Sequence, residues 1–175
     1  LSTHFKNYEI LGISCASKDR TNEITEELIK TIPHLRLITG PVNPGYAFSV
    51  RTGFLNALKS NKELIFYTDG DRQFDIKELD KLMPYLEKYD VVTGYKIERN
   101  DPVMRSWMSW IYNTTMRILF GLRVHDVNCA FKLYKREVIQ KVDFLPSLTQ
   151  GVINAEVYLA AIKNGYRIGE VPVSH

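Results

Sequence analysis

Asp69-Gly70-Asp71 sets two carboxylates on either side of one small residue, with a neutral amide oxygen at Gln73 and a further carboxylate at Asp75. Hard divalent cations take oxygen ligands of this type, and two carboxylates so spaced can aim at a common point. A solvated turn has the same composition. Val42-Asn43-Pro44-Gly45-Tyr46-Ala47 is a Gly-bearing loop that runs into a helix start, and helix amino termini attract anions. An ordinary loop into a helix reads the same way. Lys96 and Arg99 precede Arg105 and Ser109, which lie four apart and share a helical face. The three cations could converge on phosphate, for which the Arg fork has bidentate geometry; a solvated basic loop is the alternative. Asp126 and Asn128 stand just before an apolar run, as a capping turn also would. His125 reads as a surface histidine. Cys129 reads as a small buried residue, since no companion histidine is evident to activate it.

These residues need elements to hold them. Leu64 to Tyr67 is apolar and aromatic and predicts a buried strand whose carboxyl end delivers Asp69, where open α/β sheets bind ligands. Gly70 is expected to let the backbone turn there. Strands are predicted over Tyr8 to Ile13, Leu35 to Ile38, Asp90 to Tyr95, Ala130 to Tyr134 and Tyr166 to Val173, with Pro172 marking an edge or an end. Helices are predicted over Asn22 to Ile32, Tyr46 to Leu58, Ile76 to Tyr89, Arg105 to Leu122 and Asn154 to Asn164. Ser17 to Asp19 would cap the first, Pro33 would stop it, and Gly165 would end the last. Alternation of strand and helix through the first half argues for a mostly parallel sheet with helices on both faces. The Arg105 to Leu122 helix differs from the rest. Trp107, Met108, Trp110, Ile111, Tyr112, Met116, Ile118, Leu119 and Phe120 cover more than one of its faces, which reads as core packing or as an interfacial helix on anionic lipid.

Bulk properties exclude several classes. The 175 residues suffice for one domain, and 45% hydrophobic with 25% charged content is that of an ordinary globular chain. A net charge of +3 without a basic stripe argues against nucleic acid. Two cysteines, Cys15 and Cys129, form neither a metal spacing nor a disulfide framework, so a reducing cytosolic setting is the expectation. No apolar run reaches membrane-spanning length and no signal peptide opens the chain. Its first and last residues read as cuts from something longer.

In order and spacing these segments resemble the family 2 glycosyltransferases, and within them the dolichyl- or polyprenyl-phosphate sugar (mannose or glucose) synthases. The resemblance runs from Tyr8-Glu9-Ile10 and Asp19-Arg20-Thr21 through Asn43-Pro44-Gly45, Arg51-Thr52-Gly53-Phe54 and Asp69-Gly70-Asp71-Arg72-Gln73. It continues through Gly94-Tyr95-Lys96, Arg99, Asp101, Arg105, Ser109, Asn113 and Gly121 to Asp126-Val127-Asn128-Cys129-Ala130-Phe131-Lys132-Leu133, its most distinctive segment. Asn154-Ala155-Glu156, Gly165-Tyr166-Arg167-Ile168 and Glu170-Val171-Pro172-Val173 close it.

The resemblance implies an α/β fold of the GT-A type, a Rossmann-like nucleotide-sugar-binding domain spanning residues 1–175 and lacking the family's first strand. It implies an inverting, metal-dependent glycosyltransferase that moves a sugar from a GDP- or UDP-sugar to dolichyl or undecaprenyl phosphate. Asp69, Asp71 and Gln73 would hold Mg²⁺ or Mn²⁺. Ser14, Cys15, Asn43, Gly45 and Asp69 would line the donor. Asp71 and Asp126 would serve catalysis, Asp126 close to the donor sugar. Lys96, Arg99, Arg105 and Ser109 would take the acceptor phosphate. The enzyme would work peripheral to or anchored at the cytoplasmic face of a membrane, and a homo-oligomer stays open.

Ser14-Cys15-Ala16-Ser17 stands where the family carries paired Asp followed by Gly-Ser, so no carboxylate faces the nucleotide base from that strand. This departure supports a second reading, a non-catalytic relative or fragment that binds lipid phosphate or a partner protein. A transferase acting on a hydroxyl acceptor would need a dedicated base, and no Glu-Asp pair follows Asp126 to supply one. A response-regulator-like phosphoacceptor would explain an Asp at a strand end but not the second half of the chain.

Overall fold

The computed structural model describes residues 5–15, 17, 19–40, 45–96, 103–144 and 152–174. Contacts divide the chain into two compact units, Leu1–Lys62 with Leu145–Ile153 and Glu63–Phe144 with Asn154–His175.

In the first unit β1 (Ile10–Cys15) and β2 (Leu35–Gly40) pair in parallel, with Ile10 opposite Leu35 and Cys15 opposite Gly40. Parallel strands need a crossover, and α1 (Thr21–Ile29) supplies it. The Asp19 carboxylate accepts from the Thr21 amide at 3.1 Å, at the turn where a cap was expected. The helix closes three residues short of its predicted end. The Leu28 carbonyl accepts from both Thr31 N at 3.0 Å and Ile32 N at 2.7 Å, a tight last turn ahead of Pro33. Ile24, Leu28 and Ile29, which helical spacing sets on one face, remain exposed, and α1 buries no residue. α2 (Tyr46–Ala57) behaves as its spacing predicts and buries Ala47, Val50 and Phe54. Its first turn leaves Gly45 at φ 99°, a conformation that a side chain would disfavour.

The second unit holds a four-stranded sheet in the order β3-β5-β4-β6: β3 is Leu64–Thr68, β4 Val91–Lys96, β5 Phe131–Lys135 and β6 Ile168–Val173. β3, β4 and β6 run in one direction and β5 runs against both its neighbours. The sheet is thus mostly parallel in strand direction, with one reversed strand. Pro172 lies on β6, an edge strand, where a missing ladder donor is tolerated. The long helix predicted over Ile76 to Tyr89 is broken into a 3₁₀ turn at Ile76–Glu78, a short α3 (Leu79–Leu82) and a second 3₁₀ turn at Met83–Glu87. Pro84 explains the break, since it has no amide to donate back and its ring crowds the preceding turn. Leu79 and Leu82 are still buried, as their spacing requires. α4 (Val103–Phe120), the short α5 (Arg136–Gln140) and α6 (Ile153–Lys163) complete the described helices. Val91, Val92, Phe131, Tyr134, Val138, Ile139, Val157 and Ala161 are fully buried and form the core of this unit. A single such aliphatic or aromatic side chain contributes about 1.5–3 kcal/mol by burial.

Candidate active site

Strand register brings the polar segments together. Thr68, the last residue of β3, lies opposite Phe131, the first of β5. The loop that leaves β3 therefore starts beside the loop that enters β5. Thr93 of β4 lies opposite Lys132, so β4 also runs out at this edge and ends at Lys96. Asp69, Asp71, Gln73, Lys96 and Asp126 thus collect at one edge of the second unit's sheet, at the carboxyl ends of its three co-directional strands.

On the β3 side the Tyr67 hydroxyl donates to Asp69 Oδ1 at 2.8 Å, and the Gln73 amide donates to Asp71 Oδ1 at 3.1 Å. The second bond closes a turn in which Asp71 is fixed by its own loop. Asp69, Asp71 and Gln73 are all exposed. The positive φ of this loop falls on Arg72, at 63°, and not on Gly70, which has open space where a Cβ would stand. The turn expected of Gly70 is made two residues on, at Arg72. Phe74 packs against Phe131 with ring centroids 5.4 Å apart, and the Lys96 ammonium lies 5.7 Å from the Phe74 ring. Lys96 therefore reaches the residue next to Gln73.

On the β5 side, Asp126 is buried, and its Oδ1 accepts from the Asn128 amide at 3.1 Å. Three buried polar side chains hold the loop around it. Asn113 of α4 accepts from the Val127 amide at 3.2 Å and donates to Ser109 Oγ at 3.4 Å. Lys132 of β5 donates to the Cys129 carbonyl and, at 3.1 Å, to Asn154 Oδ1 of α6. Asn154 donates in turn to Asn128 Oδ1 at 3.4 Å. Lys132 has no solvent exposure. Burial pulls its ammonium down to about 8, opposed by the charges of Cys129, Asp126 and Asp69. Carboxylates from both loops therefore act on one buried ammonium. The Cys129 thiol is pushed up to about 11, chiefly by burial, which suits a packing residue and not a nucleophile.

The remaining candidates fall elsewhere. Ser14 lies in the first unit, buried, with its hydroxyl donating to Asn22 Oδ1 at 2.6 Å and sharing a 2.8 Å bond with Ser17. Cys15 ends β1, and Gly45 immediately precedes α2. Ser109 is half-buried on α4. Asn43 and Arg99 lie outside the described residues, as does the side chain of Arg105, whose backbone belongs to α4.

Lys132, Asn113 and Asn154 were not assigned any role from the sequence. The available signal was a lysine in an otherwise apolar strand, where alternation would pass it off as solvent-facing. Tyr67 was read only as part of a strand, yet it orients Asp69. His125 is exposed as expected, but its Nδ1 lies 2.8 Å from Glu170 Oε2 and its ring stacks on Tyr95 at 4.9 Å.

Comparison with known proteins adds the following. The profile described as Glycosyl transferase family 2 matches residues 1–143. The polyprenol monophosphomannose synthase of Mycolicibacterium smegmatis is 27% identical over 175 residues, covering 94% of this chain and 65% of the relative. The dodecaprenyl-phosphate galacturonate synthase of Rhizobium johnstonii is 27% identical over 144 residues, covering 81% of this chain and 41% of the relative. Among solved structures, glucosyl-3-phosphoglycerate synthase from Mycobacterium tuberculosis, crystallised with Mn²⁺, UDP and phosphoglyceric acid, superposes with a TM-score of 0.72 at 14% identity, covering 99% of this chain and 61% of that one. The chain spans 41% to 65% of the length of these curated relatives.

Proposed function

The chain belongs to glycosyl transferase family 2 and has the GT-A fold, and from that premise we propose that it moves a sugar from a GDP- or UDP-sugar to a polyprenyl phosphate. The observation that carries this reading is the meeting of Asp69, Asp71 and Asp126 at one sheet edge, where the charges of Asp69 and Asp126 both reach the buried Lys132. The relatives named for polyprenol monophosphomannose and dodecaprenyl-phosphate galacturonate synthesis support the acceptor class.

Asp69 and Asp71 with Gln73 suit Mg²⁺ or Mn²⁺. They offer hard, exposed oxygens on an ordered turn, and no cluster of three or more His, Cys, Asp or Glu able to hold a metal occurs among the described residues. Asp69 and Asp71 would hold such a cation, which would supply the charge that offsets the departing nucleoside diphosphate.

The chain's own residues supply position and charge. The Tyr67 hydroxyl and the Gln73 amide orient the two carboxylates. Asp126, held by its loop, faces the donor sugar and fixes its orientation. A phosphate acceptor is already an anion at neutral pH and needs no strong base. Lys96, Arg99, Arg105 and Ser109 place it and offset its charge. A single in-line displacement then inverts the anomeric carbon. Ser14, Cys15, Asn43 and Gly45 remain donor-side proposals, and we place the reaction at the cytoplasmic face of a membrane.

One observation favours the non-catalytic reading: the Ser14 hydroxyl is committed to Ser17 and Asn22, so β1 ends without a carboxylate. A transfer assay separates the two readings. With Mn²⁺, a short polyprenyl phosphate and either GDP-mannose or UDP-glucose, the wild-type chain is expected to form a sugar-lipid. Asp71→Asn and Asp126→Asn are each expected to lower the rate by about 100-fold or more, the scale of one lost transition-state contact. An Asp126→Asn variant as active as wild type would remove Asp126 from the mechanism.

A further inference from the structure

A row of residues that crosses the second unit's sheet at Thr93 grips the Asp126 loop at both its ends. Thr93 of β4 lies opposite Lys132 of β5 on one side and opposite Glu170 of β6 on the other. Directly opposed residues share a face of the sheet, so a cation and an anion flank Thr93 on the same face. Lys132 donates to the Cys129 carbonyl, just before the loop enters β5. Glu170 takes the other end. Its Oε1 accepts from the His125 amide at 2.7 Å, and its Oε2 lies 2.8 Å from His125 Nδ1. Each charge meets the peptide group that complements it, ammonium to carbonyl and carboxylate to N–H.

Packing does not account for the second grip. The Glu170 side chain is 12% exposed and that of His125 is 69% exposed. A carboxylate withdrawn so far from water needs hydrogen bonds, yet the residue it binds buries little. What the pair does fix is direction. Two bonds from one carboxylate to the amide and the ring of one residue set both the peptide that enters His125 and the rotamer of its side chain. The Tyr95 ring stacks on the same imidazole, with centroids 4.9 Å apart and planes 28° from parallel. Asp126 is the next residue. It is buried, and its Oδ1 accepts from the Asn128 amide at 3.1 Å, so its direction follows from that of the backbone before it.

We propose that Glu170 is a positioning residue for the transfer reaction: through His125 it sets the entry of the loop that aims Asp126 at the donor sugar. The part played by Asp126 at the sugar rests on the glycosyltransferase reading; the hold of Glu170 on Asp126 does not.

NMR of the labelled chain tests that hold without donor, metal or acceptor. Glu170→Ala is expected to move the His125 amide proton upfield, as its bond to a carboxylate is lost. It is also expected to move the Asn128 amide proton upfield, as Asp126 Oδ1 turns away from it. Glu170→Gln, whose amide oxygen can still accept from the His125 N–H, is expected to leave the Asn128 signal near its wild-type position. In the transfer assay Glu170→Ala is expected to lower kcat by about 10- to 100-fold, the scale of a reacting group held out of place. The KM for the polyprenyl phosphate is expected to stay unchanged, since Asp126 faces the donor, and Glu170→Gln is expected to recover most of the rate. In an Asp126→Asn background Glu170→Ala is expected to lower kcat no further, because the group it positions is already gone.

An Asn128 signal unmoved by Glu170→Ala, an unchanged kcat in that variant, or losses that multiply in the double variant would overturn the proposal and leave the pair structural only. Should Glu170→Ala fail to fold, His125→Phe reads the same hold. It keeps an aromatic ring for Tyr95 and the amide for Glu170 but lacks the ring nitrogen. A smaller upfield shift at Asn128 is expected, and no shift would overturn the proposal. A wild-type chain that transfers no sugar, with the Asn128 signal still moved by Glu170→Ala, would count against the proposed function alone. Transfer that Glu170→Ala leaves intact would count against the positioning alone.

Discussion

Lys132 is the residue on which the second unit's polar edge turns, and its titration gives a direct test. Burial lowers its ammonium to about 8 from 10.5, against the pull of Cys129, Asp126 and Asp69. Asp126→Asn removes one of those opposing charges, so the Lys132 value is expected to drop further below about 8, read by NMR titration of the labelled side chain. An unchanged value would show that Asp126 does not act on it. The same shift has a stability consequence. The unfolded chain holds the lysine proton up to 10.5 and the folded chain only to about 8, so this group stabilises the fold increasingly as pH rises through that window. Cys129 acts with the opposite sign, because its folded thiol keeps its proton from 9.0 to about 11 and its stabilising effect is lost as pH rises through that range. Their opposition predicts that Cys129→Ala extends the rise of Tm with pH from about 9 toward 10.5, measured by thermal melts. Asp69, Asp71 and Asp126 were legible in the sequence from residue type and from a family resemblance. Lys132 lay in the segment that resembles the family yet drew no role, because strand alternation describes which face a residue takes and not whether that face meets solvent.

At the scale of elements, the sequence predicted six strands, and six are present among the described residues, with bounds shifted by up to two residues. The direction of β5 was not legible. The connection from β4 to β5 is long enough, through α4, to return along either direction, and only pairing partners decide it. That reversal is what sets Phe131 opposite Thr68 and brings Asp126 to the Asp69 edge. The loop itself is held from three elements: α4 through Asn113, β5 through Lys132 and α6 through Asn154. Asn113→Leu leaves the Val127 amide buried without its acceptor, at an expected cost of about 1–3 kcal/mol in urea unfolding. Asn113→Asp keeps the acceptor oxygen and is expected to recover most of that loss. Equal destabilisation by both would indicate that packing, not the hydrogen bond, holds the loop. The break in the helix at Ile76–Glu87 was not read from the sequence, because Leu79, Leu82, Met83 and Leu86 keep helical spacing across Pro84.

For the whole molecule, the two compact units differ in how deeply their elements are buried. α1 buries no residue, whereas β5 and α6 carry fully buried side chains such as Phe131, Tyr134, Val157 and Tyr158. Local opening free energy follows such burial. Native-state hydrogen exchange is expected to find α1 amides the least protected of the helical amides and β5 amides near the global limit; equal protection would mean that α1 is held by more than its own contacts. The α/β class, the strand–helix alternation and the parallel β1–β2 pair were legible from periodicity alone. The outward apolar face of α4 was visible as an excess of aromatic residues, but periodicity could not say whether it met the core. The most direct test of the proposed function is calorimetric titration of the chain with UDP and with GDP, each with and without Mn²⁺. A glycosyltransferase donor site predicts that one nucleotide binds with Mn²⁺ at least about tenfold more tightly than without it, and that Asp71→Asn, an exposed substitution, removes the metal-dependent part while helix content stays unchanged. Binding of neither nucleotide to a folded sample, or binding indifferent to both Mn²⁺ and Asp71→Asn, would contradict it.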